Sequence, residues 1–315
     1  MNTASARLMP KAIDAAIDIA IDIAIDNVPN APTSGNPASA PNVAIRNAEH
    51  ASLTTPLRTT TAPKASARTL QRTAGITFGI GTQLLFLVTV VYLFLFLRYG
   101  AASLHHGWWW MDALLATGFA IPHSVLLAPP TQKWLRQWLP GGLLGCIHCC
   151  VTCITLLVMF HYWGGSEQVL WRASGIAEQA ILGCFYLSWV ALLYSLYWTG
   201  FGYQTGLSQW WYWVTESKPP RRPFVTGGPF RYMRHPVYMS FLGLIWFTPV
   251  MTWDHAILTA VWTAYIYTGS YFKDKRLLRF IGDEYYEYGT RIAGLPWIGF
   301  GSLRRFKPRP AATAS

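Results

Sequence analysis

The sequence predicts an all-α, polytopic integral membrane protein of about six transmembrane helices, followed by a cytoplasmic C-terminal amphipathic segment. Three observations carry this prediction. The 315-residue chain is 52% hydrophobic and 12% charged, about half the charge of an ordinary soluble domain. Its charges are absent from several runs long enough to cross a bilayer. Its cations, 25 Lys plus Arg against 14 Asp plus Glu, flank those runs rather than forming one basic face. That distribution is a topology signal, so the lipid bilayer and not nucleic acid accounts for the net charge of +11.

Taken in order, residues 1–72 are expected to be a disordered, low-complexity N-terminal extension. The stretch IDAAIDIAIDIAID spaces Asp14, Asp18, Asp22 and Asp26 four apart. No His, Cys or Gly turn accompanies them, so low complexity is favoured over a cation site. Residues 27–73 are rich in Ala, Pro, Thr, Ser and Asn and lack the apolar content to order themselves. Asp interrupts the apolar stretches before residue 76, so no secretory signal pattern is expected. The membrane domain occupies residues 73–299, with spans expected at 76–97, 113–128, 141–163, 180–202, 236–253 and 256–272. Asp254 and His255 alone separate the last two, which predicts a helical hairpin. Residues 300–315 are expected to be a basic, disordered tail.

The flanks set the orientation. Lys64, Arg68 and Arg72 precede the first span, and Arg98 alone follows it, with His105 and His106. Lys133 and Arg136 occupy the second loop. In the third, Arg172 is opposed by Glu167 and Glu178. The fourth carries Lys218, Arg221, Arg222, Arg231 and Arg234, and the fifth has no Lys or Arg. Lys273, Lys275, Arg276, Arg279 and Arg291 follow the last span. Rich and poor flanks alternate, which predicts both termini in the cytoplasm. Trp108, Trp109 and Trp110, and Trp210, Trp211 and Trp213, are expected at the membrane interfaces.

The most informative stretch is VTGGPFRYMRHPVY, residues 225–238. Gly227, Gly228 and Pro229 form a turn whose backbone can approach a ligand closely. Arg231, Arg234 and His235 follow, and Pro236 suits the first turn of a helix. A helix N-terminus beside Arg and His receives a carboxylate or phosphate well; a positive-inside loop ahead of a Pro-initiated helix explains the same residues. The second stretch is FKDKRLLRFIGDEYYEY, residues 272–288. Leu277, Ile281, Tyr285 and Tyr288 share one face if it is a single helix. Asp274 falls just past the bilayer edge, on the side of His235. It is placed either to hold an ammonium or ribose, or to pair with Lys275, Arg276 or Arg231.

GPFRYMRHPVY, then a helical hairpin, then LLRFIGDEYYEY, resembles the carboxyl-terminal core of the isoprenylcysteine carboxyl methyltransferase superfamily. Pro122-His123-Ser124-Val125, then Lys133-Trp134 and Pro140, resemble the second helix of its methanethiol S-methyltransferase and NnrU-like branch. Phe247-Thr248-Pro249-Val250-Met251-Thr252 with His255 resembles that branch's hairpin. The similarity covers roughly residues 73–299. It implies an integral-membrane, multi-pass methyltransferase that uses S-adenosyl-L-methionine. By position, Phe224, Val225 and Phe230 would line the adenosyl pocket. His235, Pro236, Val237 and Tyr238 would wrap the cofactor, and Asp274 stands where relatives carry the second Glu of an acidic pair. Lys273 replaces the first acid of that pair, Ser240 stands where relatives usually have Gly, and residues 142–146 lack an expected Glu-Arg pair.

Methyl transfer from a sulfonium needs an in-line nucleophile and little acid–base machinery, so catalysis comes mostly from positioning. Arg231 and Arg234 are candidates to hold the cofactor carboxylate or favour a thiolate. His123, seven residues before Pro130, is about 10 Å from its helix end and is the candidate for proton removal. The implied acceptor is a small thiol, such as methanethiol giving dimethyl sulfide. An isoprenylated cysteine or similar lipophilic acceptor, and a non-catalytic NnrU-like role, stay open. Cys146, Cys149, Cys150 and Cys153 read C-x-x-C-C-x-x-C. They fall inside an apolar helix, which cannot close a tetrahedron around a metal, so they are read as packing residues and no metal is expected.

Overall fold

A computed structural model describes residues 65–101, 109–220, 223–296 and 301–308. The acidic repeat from Asp14 to Asp26, the loop residues His105, His106 and Trp108, and Arg221 and Arg222 lie outside the described residues.

Helix α1 spans Ala65–Tyr99 and α2 spans Trp109–Leu127, with Pro122 inside it. A proline is tolerated there because neighbouring helices can satisfy the backbone it frees. A short α3, Pro129–Leu135, leads through a 3₁₀ turn at Gly141–Leu143 into α4, Leu144–Tyr162. Strand β1, Val169–Arg172, precedes α5, Ile176–Thr199. Two short helices follow, α6 at Phe201–Gln204 and α7 at Leu207–Val214. The Gly228–Arg231 3₁₀ turn then leads to α8, Pro236–Trp246, strand β2, Val250–Thr252, α9, Trp253–Ile281, and α10, Asp283–Arg291.

Among the described residues, four helices are long and apolar enough to cross a membrane: Thr69–Tyr99, Trp109–Leu127, Gly141–Tyr162 and Ile176–Thr199. The fifth expected span, 236–253, is not one helix. The helix stops after 11 residues at Trp246, about 16 Å against a hydrocarbon core of about 30 Å. Pro249 causes the stop, since a residue preceding proline is pushed out of the α region. The chain then runs extended as β2, which pairs antiparallel with β1 through Val169 with Thr252 and Arg172 with Val250. This two-stranded ribbon is an addition to the all-α expectation. The sixth expected span lies within α9, which runs on unbroken through Lys273, Asp274, Lys275 and Arg276.

Packing orders the long helices as α1 on α4, α4 on α2, α2 on α9, α9 on α8 and α8 on α5. Phe94 closes the circuit by meeting Phe185 and Trp189 of α5. The core joins Phe96, Phe160, Trp163, Phe185, Leu244 and Trp262. Outward, α1 exposes Ile80, Leu84, Leu87, Val91 and Leu95, the apolar rim a lipid-facing helix requires. Trp109, Trp110 and Trp211 are exposed, but Trp210 is buried and donates Nε1–H to Gly75 O at 3.1 Å. It anchors α7 to α1.

At the ribbon end, buried Asp254 accepts from Trp163 Nε1 at 3.1 Å and Ser166 N at 3.1 Å, and Asp112 accepts from Gly164 N at 3.0 Å. His255 Nε2 and Thr259 Oγ1 both donate to Ile245 O, at 2.9 and 3.0 Å. They satisfy a carbonyl that the end of α8 would leave unpaired.

Candidate active site at the Arg-His-Pro turn

The Arg234-His235-Pro236 turn meets the far end of α9 and the chain returning from α10. Arg234 N donates to Ala293 O at 2.9 Å and His235 N to Gly294 O at 3.1 Å. Arg234 Nη2 donates to Asp274 Oδ2 at 2.7 Å. Its Nη1 lies 2.6 Å from Ile292 O and 3.2 Å from Arg304 O, and the guanidinium stands 4.3 Å over the Phe306 ring. Asp274 therefore pairs with Arg234, and not with Lys275, Arg276 or Arg231. Its other oxygen, Oδ1, accepts from Tyr285 Oη at 2.5 Å and lies 3.0 Å from His235 Nε2. The His235 contact is close but is not a well-formed hydrogen bond. His235 is 0% exposed, and among the described residues its Nδ1 also has no hydrogen-bond partner.

The electrostatics follow from this packing. Burial alone would raise the Asp274 carboxyl, but His235 and the Arg234 ion pair outweigh it and hold Asp274 below the usual carboxylate range. Burial pulls His235 below the ordinary imidazole range, an effect Asp274 partly offsets. Burial and the Asp274 charge push Tyr285 up; Tyr288 rises chiefly through burial. Both phenols stay protonated as donors. Lys273, 5.1 Å over the Tyr238 ring, is lowered to about 8 by burial and then by Arg276.

The remaining expected residues divide. Phe224 meets Tyr285 and Tyr288 edge-on, with centroids 5.6 and 5.3 Å apart. Buried Phe230 presents its carbonyl to Tyr288 Oη at 2.6 Å. Tyr238 stacks on His235 at 5.4 Å. Pro236 is buried, Val225 is half-buried beside the turn, and Val237 packs into the helix core. Arg231 is exposed. His123 lies in α2, outside this cluster, among Phe119, His148, Thr152 and Tyr265. The structure thus joins His235, Tyr238, Asp274, Phe224 and Phe230, and it sets Arg231 and His123 apart from them.

Gly228 explains how the turn is held. Its φ is +55°, and an added Cβ would come 2.2 Å from Trp198 Cε2, so the α5 tryptophan roofs the Gly227-Gly228 backbone. Sequence reasoning missed Trp198, and it missed the roles of the Tyr285 and Tyr288 hydroxyls. It treated 272–288 as one amphipathic face. Gly282, at φ +71°, instead ends α9 and turns α10 back, burying both tyrosines. The glycine within FIGDEYYEY was the available signal for that turn. Two open clefts, one lined by Gln71, Arg72, Tyr212 and Glu216 and the other by Leu207, Trp210 and Trp211, lie elsewhere.

Fold and site together define a multi-span membrane protein in which an Arg-His-Pro turn closes on an acidic residue near the end of the last long helix. The chain is similar to several methanethiol S-methyltransferases. It is 29% identical over 196 residues to that of Pseudomonas deceptionensis, covering 62% of this chain and 73% of the relative. It is 30% identical over 196 residues to methanethiol S-methyltransferase 1 of Bradyrhizobium diazoefficiens, covering 59% and 66%. It is also 27% identical over 168 residues to nurim of Rattus norvegicus, covering 49% and 62%. No family model and no solved structure matches the chain.

Proposed function

We propose that this chain is an S-adenosyl-L-methionine-dependent membrane methyltransferase acting on a small thiol, with methanethiol to dimethyl sulfide as its first candidate reaction. The observation that carries the reading is His235: a fully buried imidazole, backed by Asp274 and Arg234, whose Nδ1 has no partner among the described residues. A buried polar nitrogen without a partner is costly unless a ligand completes it, and the relatives are named as methyltransferases. The residues present fit the cofactor.

Phe224, Val225 and Phe230 are assigned to the adenosyl group, and His235, Pro236, Val237 and Tyr238 to its surround. Asp274 holds His235 and Arg234 in place. Arg231 is assigned to the cofactor carboxylate, while Arg234 is committed to locking the turn to residues 289–304. The cofactor supplies an electrophilic methyl on sulfur. The chain supplies orientation and a poorly hydrated site at the membrane edge, where a thiolate reacts readily because its charge is cancelled at the barrier. His123 takes the acceptor's proton. In this reading α8 with β2, and the apolar part of α9, complete six membrane passes, and both termini are cytoplasmic.

The test uses isolated membranes, methyl-labelled cofactor and a panel of acceptors. Label is expected in headspace dimethyl sulfide when methanethiol is supplied. Base-labile label on an isoprenylated cysteine instead would transfer the reading to carboxyl methylation. Purified protein that binds no S-adenosyl-L-methionine would overturn it in favour of a non-catalytic role.

A further inference from the structure

We infer that Thr152 is a positioning residue that fixes the tautomer of His123, leaving His123 Nε2 as the bare nitrogen that receives the acceptor's proton. The inference deepens the methyltransferase reading and rests on it for the identity of the proton donor. The tautomer itself follows from hydrogen-bond inventory. Thr152 Oγ1 donates to His148 O at 2.7 Å. A hydroxyl has one proton, so both contacts form together only if Thr152 accepts from His123 Nδ1, 3.2 Å away. His123 Nδ1 therefore carries the proton, and in a neutral imidazole Nε2 is then bare.

The neighbours support this assignment. His148 Nε2 lies 3.3 Å from His123 O; a carbonyl only accepts, so His148 donates there and is fixed in the opposite tautomer. Its ring stands 4.7 Å from that of His123. Tyr265 of α9 presents its ring edge at 6.4 Å, and its hydroxyl is occupied with Ser124 Oγ at 3.0 Å. His148 from α4 and Tyr265 from α9 are the titratable groups facing His123. Among the described residues, His123 Nε2 has no hydrogen-bond partner. Ionisable groups within a membrane bundle are costly and mark function.

The placement also selects the acceptor. Tyr265 precedes Asp274 by nine residues on the continuous α9, about 14 Å along its axis. The bare nitrogen thus lies inside the apolar bundle, deeper than the Arg-His-Pro turn. A nitrogen so placed favours a small uncharged thiol over a charged one, because burying a charge in an apolar bundle is costly. In the step assigned here the acceptor's S–H bond breaks and the proton moves to His123 Nε2. The bonding pair stays on sulfur, giving a thiolate beside an imidazolium whose Nδ1–H still rests on Thr152.

The test combines a spectrum with kinetics. Protein labelled with ¹⁵N-histidine in lipid nanodiscs reports which ring nitrogen is protonated, with the His123 signals assigned by their loss in His123→Gln. Wild type is expected to show Nδ1–H and bare Nε2. Thr152→Val is expected to lose that preference and about 10²-fold in kcat while cofactor affinity is unchanged. Thr152→Ser is expected to restore both. An Nε2–H tautomer in wild type, or a Thr152→Val protein with wild-type kcat, would overturn the inference. The wild-type spectrum decides the tautomer even if the valine variant fails to fold. It does so as well if wild type methylates no thiol, a result that would refute the functional reading separately.

Discussion

Asp274 serves three partners with two oxygens, and they come from two stretches of chain: Arg234 and His235 before α8, and Tyr285 on α10. Both members of the Arg234–Asp274 pair are buried, so removing one charge strands the other, at a cost of about 3–5 kcal/mol. Asp274→Asn is accordingly expected to lower thermal stability in detergent strongly and to lose cofactor binding with it. His235→Ala leaves the Arg234–Asp274 pair in place. It is expected to retain most of the stability and still lose cofactor binding, as measured by equilibrium binding of S-adenosyl-L-methionine. Equal destabilisation by both would mean that His235 is packing and not a ligand. The Arg, His and Asp were legible in the sequence because a short motif and a charge just past an apolar run single them out. Their mutual pairing was not, because 40 residues separate Arg234 from Asp274 and any nearby cation fits the same pattern.

Elements whose ends carry strong local signals were legible: the four long apolar helices, and the start of α8 at Pro236. What was not legible depends on the chain turning back. Periodicity alone ran Leu277, Ile281, Tyr285 and Tyr288 into one face, whereas Gly282 breaks the helix there. Residues 301–308, in a stretch expected to lack structure, return to the site. Gly294 N donates to Leu303 O at 2.7 Å, Phe306 N to Gly289 O at 2.9 Å, and Phe306 covers Arg234. No composition rule finds such a strap, because its contacts are set by tertiary position. Ending the chain after residue 300 is expected to uncover Arg234 and reduce cofactor affinity at least about tenfold, whereas ending it after residue 308 preserves affinity. Titrating both truncations with labelled cofactor checks this; equal affinities would show that the strap does not shape the site.

Across the whole molecule, two buried polar clusters mark opposite ends of α9. Asp254 anchors the ribbon end and Asp274 the Arg-His-Pro end, and the 20 residues between them on one helix span about 30 Å, the thickness of the hydrocarbon core. Between them lies the apolar core, interrupted by the paired His123, His148 and Thr152. The charge outside the two clusters is unequal. The Arg-His-Pro end carries Arg231, Lys275, Arg276 and Arg279, and the ribbon end carries Arg172 beside Glu167. Lys and Arg excess sets orientation in membranes, so the Arg-His-Pro end is assigned to the cytoplasm, where a charged nucleoside donor would have to be met. Cysteine labelling tests this directly. In a background with Cys146, Cys149, Cys150, Cys153 and Cys184 replaced, Glu167→Cys is expected to react with a membrane-impermeant maleimide on intact cells. Arg279→Cys is expected to react only after permeabilisation. Labelling of both from outside would break the six-pass arrangement, and the reversed pattern would put the site on the face away from the cofactor.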